Sequence, residues 1–173
     1  MKASLADLTI NVDAGTASRI IEDWLWLVGT DKKVILVTVI GDLFLKGGDQ
    51  SIYWLEVGGG KLEKVASNTQ DFESKLTDIN VVNEWFMIDL TTELLVSDKK
   101  LKTGEVYSFK KLPIIGGDYA LDNFEPTNIE VHFSFSGQVH RKIKDLPDGT
   151  KVNITYEPAE KGMKRWFGWL RKR

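Results

Sequence analysis

Between Ile129 and Ile143 the residue types alternate. Ile129, Val131, Phe133, Phe135, Val139 and Ile143 are apolar, whereas Glu130, His132, Ser134, Gln138, His140 and Lys142 are polar. A period of two is that of a strand with one packed and one wet face. Because the parity continues past Ser136-Gly137, the intervening loop must hold an odd number of residues, or the faces would mix. A loop of Phe135, Ser136 and Gly137 meets this condition, with Gly137 in the left-handed position of a bulged type I turn. The pattern therefore predicts a hairpin that pairs Phe133 with Val139, His132 with His140 and Glu130 with Lys142. On this register Phe133→Ala should cost about 3–5 kcal/mol, and His132→Ala far less.

The rest of the chain must cover such a hairpin. With 173 residues, 42% of them hydrophobic, it is long enough to bury a core as one domain. Residues 161–173 carry six basic residues and no acid, which leaves residues 1–160 with 17 basic and 25 acidic residues, a net of −8. This divides the chain into an expected domain, 1–158, and a basic aromatic tail, 159–173. An acidic body disfavours nucleic acid as a partner and suits a basic protein surface. The longest apolar run, Val34 to Ile40, is too short for a bilayer span. Without cysteines or a signal-peptide pattern at the start, the expected setting is the cytoplasm.

Thr16 or Ser18 is positioned to cap a helix reaching Val28, with Ile20, Ile21, Trp24, Leu25 and Val28 on one face and Gly29 ending it. Lys33 to Leu45 is β-rich and too long for one flat strand, with a bulge or break at Gly41. Ser51–Val57 and Lys61–Ala66 follow as strands of an antiparallel meander, turned at Gly47-Gly48 and Gly58-Gly59-Gly60. Ser67, Asn68 or Thr69 opens a short helix, and Asp78 or Asn80 a longer one to Val96 with Val81, Trp85, Ile88, Thr92 and Leu95 on its apolar stripe. A short strand is expected over Glu105–Lys110, a long loop over Pro113–Pro126 and a final strand over Thr150–Tyr156. The class is α+β, a single domain with a bent antiparallel sheet and helices covering one side.

The order of several short segments resembles a known family. Gly41-Asp42-Leu43-Phe44, Ile52-Tyr53-Trp54-Leu55, Glu84-Trp85-Phe86, Gly116-Gly117-Asp118-Tyr119, Glu130-Val131-His132-Phe133 and Gly137-Gln138-Val139-His140 stand as they do in a bacterial domain-of-unknown-function family. That family supplies the C-terminal domain of type VI secretion immunity proteins that neutralise DNase toxins. The resemblance covers roughly residues 39–150. It implies an α+β fold and a non-catalytic protein whose partner is a cognate toxin.

Three groups of residues are candidates for function. His132 and His140, opposed on the predicted hairpin beside Glu130, could contribute to a divalent metal site. Three or four ligands and supporting contacts are needed for one, so the expectation is neither metal nor cofactor. The glycine clusters match no phosphate-binding fingerprint, because no Gly-Lys-Ser/Thr follows. The acidic loop, with Asp118, Asp122 and Glu125 interleaved with Tyr119 and Phe124, offers charge and aromatic anchors for a protein partner; the alternative is that Tyr119 and Phe124 pin it to the core. Met163, Trp166, Phe167 and Leu170 have helical spacing among basic residues, so 163–173 could touch an anionic membrane or a partner peripherally, without insertion.

Overall fold

A computed structural model describes residues 4–147, 149–150, 152–156 and 168–172. After α1 (Leu5–Leu8) and β1 (Thr9–Ile10), α2 (Ala14–Ile20) opens on Asp13, whose Oδ1 accepts the N–H of Thr16 at 2.9 Å. The cap thus precedes both predicted candidates. A 3-10 turn (Glu22–Trp24) and α3 (Leu25–Val28) replace the predicted continuation of one helix, and Gly29 ends the run at φ 75°. Ile20, Trp24 and Val28 are buried at four-residue intervals.

The predicted meander is present and larger than expected. β2 (Lys33–Thr38), β3 (Leu43–Lys46), β4 (Ile52–Glu56) and β5 (Lys61–Ala66) join β1 in an antiparallel sheet of order β1-β2-β3-β4-β5. Gly41 makes the break, lying in the hairpin turn between β2 and β3. Alternation in β3 and β4 sorts their side chains to two faces. Leu43, Leu45 and Leu55 pack with Ile20, Trp24, Val37 and Phe133, whereas Phe44 and Trp54 pack with Phe72, Trp85 and Phe86. Phe44 is the centre of the second cluster, with ring centroids at 5.0 Å from Phe72, 5.2 Å from Trp85 and 5.8 Å from Phe86.

Those last aromatics come from α4 (Thr69–Lys75), capped by Asn68, and α5 (Ile79–Phe86), capped by Asp78. The longer predicted helix is broken, because Met87 takes φ 44° and α6 (Ile88–Val96) starts afresh. Thr91 closes the break, its hydroxyl donating to the Phe86 carbonyl at 2.6 Å. The break rotates the buried stripe of α6 onto Thr91 and Leu94, away from the expected Thr92 and Leu95.

Beyond α6, β6 (Glu105–Phe109) pairs antiparallel with β7 (Phe124–Asn128), a strand that begins inside the predicted long loop. Then comes the main correction. Ile129–Ile143 is a helix, α7, and no hairpin. Its buried residues, Ile129, His132, Phe133, Ser136, Gly137, Val139 and His140, recur at three- and four-residue steps. Gly137 is therefore helical, and its role is close approach: a Cβ there would lie 2.8 Å from the Asp23 carbonyl oxygen and 3.0 Å from Trp24 Nε1. Alanine normally gains about 0.5–1 kcal/mol over glycine in a helix interior. Here the contact is with backbone, so Gly137→Ala is expected to destabilise by about 1–3 kcal/mol, measured by urea denaturation.

β8 (Val152–Tyr156) matches the predicted final strand and pairs antiparallel with β9 (Gly168–Lys172). The end of the tail is thus extended where a helical turn was expected; Met163, Trp166 and Phe167 lie outside the described residues. No helix among the described residues is long and apolar enough to cross a membrane.

Candidate functional site

The two histidines of α7 meet main-chain carbonyls at Gly41 and Val57, beside the β2–β3 and β4–β5 turns. Asn128 starts the helix, its Oδ1 accepting the N–H groups of Glu130 and Val131 at 3.0 and 3.2 Å. Acidic Glu130 in the first turn and basic Arg141 and Lys142 in the last match the helix dipole. His132 and His140 lie eight residues apart on its buried side, about 12 Å along the axis. His132 Nε2–H donates to the Gly41 carbonyl at 2.9 Å, which leaves Nδ1 to accept from the Ser108 hydroxyl at 2.8 Å. His140 Nε2–H donates to the Val57 carbonyl at 2.9 Å.

Each imidazole occupies the space that a side chain on a glycine turn would need. A Cβ on Gly41, at φ 85°, would collide with the His132 ring, and one on Gly60, at φ 65°, with the His140 ring. Glycine is required at both turns by backbone conformation and by proximity. Burial lowers the pKa of His132 to about 4 against the opposing hydrogen bond to Gly41. Burial likewise lowers that of His140, against its bond to Val57 and the charge of Glu56. Both rings are neutral clamps between helix and sheet. His132 is only 2% exposed, so the expectation of a dispensable side chain is overturned. His132→Ala should cost about 2–3 kcal/mol through a cavity and two lost partners, as a thermal melt would show, with Ser108→Ala costing less.

Asp42 and Val57 complete the junction. The buried Asp42 carboxyl accepts the Val57 N–H through Oδ1 at 2.8 Å, while the Asp42 main-chain N–H donates to Thr38 Oγ1 at 2.8 Å. Val57 is therefore held through its N–H by Asp42 and through its carbonyl by His140. Burial pushes the Asp42 pKa up to about 8, opposed by the Val57 hydrogen bond and reinforced by the neighbouring Glu56 charge. Sequence reading missed this carboxyl, since Gly-Asp between two strands reads as turn chemistry.

The proposed metal ligands do not converge. Both histidines donate Nε2–H to main-chain carbonyls, and Glu130 forms an ion pair with Arg19 at 2.8 Å, about half exposed. No group of three or more metal-ligating side chains occurs among the described residues.

The acidic loop is brought together at the surface, with one exception. Asp118, Tyr119, Asp122 and Glu125 are exposed, and Asp118 and Asp122 rim an open hollow of about 240 Å³ with Lys111, Gly116, Gly117 and Asn123. Phe124, expected among the partner contacts, is instead wholly buried, 4.5 Å from the Phe109 ring. The strand β7 turns it inward, so it anchors the loop. A second groove, of about 340 Å³, is lined in part by Trp26, Gly60, Ile114, His140 and Leu146. Trp26 is half-buried and stacks on Trp24 at 6.2 Å.

Comparison with known proteins bears on fold and family separately. The crystal structure of Atu4351 from Agrobacterium tumefaciens superposes with a TM-score of 0.54 at 13% identity, covering 83% of this chain and 68% of that one. At that identity the likeness is one of fold. No curated protein matches the chain. Its sequence does match a protein family: residues 66–140, from the end of β5 through the second histidine of α7, match the model for T6SS immunity protein Tdi1, C-terminal.

Proposed function

We propose that the protein is an immunity-type protein that binds a secreted bacterial toxin domain and blocks it without catalysis of its own. The match of residues 66–140 to the immunity family carries this reading. The chemistry of the junction agrees with it. Ser108, His132, His140 and Asp42 are buried and hydrogen-bonded within the fold, which suits a scaffold. The contact surface we assign is the exposed set Asp118, Tyr119, Asp122 and Glu125. Carboxylates there would meet a basic substrate groove, such as that of a DNase, and speed encounter by steering. With DNA as the toxin's substrate, the encounter belongs in the cytoplasm.

The surface assignment is tested by reversing its charge. Asp118→Lys with Glu125→Lys is expected to slow association with the toxin by about tenfold at low salt, with a smaller effect at high salt. The melting temperature should stay nearly constant, because both side chains are exposed. Stopped-flow or surface-based kinetics read the effect; unchanged association at low salt would remove the loop from the interface.

A further inference from the structure

The acidic loop is attached to the body at several places: Phe124 is buried, and Lys99 Nζ donates to the carbonyls of Leu121 and Phe124 at 2.6 and 2.9 Å. At its neck, Asn123 accepts the Lys111 N–H through Oδ1 at 3.0 Å and donates through Nδ2 to the carbonyls of Lys111 and Asp118 at 2.9 and 2.7 Å. At its tip, the Tyr119 hydroxyl donates to Glu56 Oε1 at 2.8 Å, across 63 residues of sequence. The same Oε1 accepts the N–H of Gly59 at 2.8 Å, so the carboxylate is itself held by the glycine turn. The Tyr119 ring stands edge-on to Phe109, with centroids 5.2 Å apart at 89°, and its hydroxyl fills the space that a Cβ on Gly58 would need.

We infer that Glu56 is a positioning residue for the recognition loop: its carboxylate latches Tyr119 over the Gly58-Gly59-Gly60 turn and so presents Asp118 and Asp122 to a basic protein surface in one preformed arrangement. A hydrogen bond to a charged acceptor is about twice as strong as a neutral one. A loop ordered in advance avoids the ordering cost of binding. Tyr119 remains 39% exposed, so part of the side chain stays available for contact while its hydroxyl is held. The inference rests on the proposed contact surface, but the latch can be observed without any partner.

The test uses the full chain with Glu56→Gln, Glu56→Ala and Tyr119→Phe. Amide hydrogen exchange is followed in the segment 113–122 and in α7. Glu56→Ala and Tyr119→Phe should raise exchange at the loop tip about tenfold while α7 keeps its protection. Glu56→Gln, which retains a neutral acceptor, should give a smaller rise. Unchanged loop exchange in both Glu56→Ala and Tyr119→Phe would overturn the latch, and so would an equal rise throughout α7, which would mark a general structural role. A loop-specific rise with unaltered toxin binding would uphold the latch and locate the toxin contact elsewhere.

Discussion

Trp24→Ala is expected to lower stability by about 3–5 kcal/mol, toward the upper end of that range. The indole is completely buried and lies where the 3-10 turn meets α7. Its Nε1–H donates to the Phe133 carbonyl at 2.9 Å, its ring centroid is 5.2 Å from that of His140, and Gly137 is small so that it can approach. Removal leaves a cavity bordered by helix backbone, which cannot collapse into it. The loss should appear as a lower urea midpoint with an unchanged slope. A change below about 1 kcal/mol would show that α7 does not depend on this crossing.

The second large effect is one of pH. In the folded state Asp42 keeps a proton up to about pH 8, whereas its ordinary carboxyl value is 3.8. The folded protein thus binds more protons than the unfolded chain across that window, and stability falls as pH rises through it. His132 acts in the opposite sense. Its imidazole stays neutral down to about pH 4 against an ordinary value of 6.5, so the unfolded chain binds more protons and stability falls on acidification from 6.5 to 4. His140, lowered by burial, adds to this. The two effects oppose below pH 6.5, leaving Asp42 dominant between 6.5 and 8. Stability should drop there by roughly 2 kcal/mol, at up to about 1.4 kcal/mol per pH unit. In Asp42→Asn that fall should vanish, and acidification from 6.5 to 4 should cost about 3 kcal/mol, unmasked. Denaturation midpoints at half-unit pH steps read both limbs; an identical pH profile in the variant would contradict a protonated Asp42.

In the meander, where the buried side chains are apolar, the sequence reads correctly. β3, β4 and β5, the Asn68 and Asp78 caps and the strand over Glu105–Phe109 all follow from hydrophobic pattern, turn residues and cap chemistry. The failure at α7 has a particular cause. Four of the seven residues on its buried stripe are His132, Ser136, Gly137 and His140, which a hydrophobicity pattern scores as wet. Val131 and Phe135, only half-buried, supplied the false alternation. The acid-to-base gradient from Glu130 to Lys142 behind the Asn128 cap is a helix signal that residue alternation ignores. The candidate site was less legible still, because its contacts link distant positions. Gly41 meets His132, Gly60 meets His140 and Glu56 meets Tyr119 only after the sheet has formed, and the main-chain carbonyls they use carry no mark in the sequence.

Inhibition by binding can be read by mixing the purified protein with the product of the adjacent gene. The account predicts a stable complex at nanomolar to low-micromolar concentration and stoichiometric loss of the toxin's activity, measured as DNA cleavage if that product is a DNase. A product that stays fully active, with no complex detectable at tens of micromolar of this protein, would contradict it.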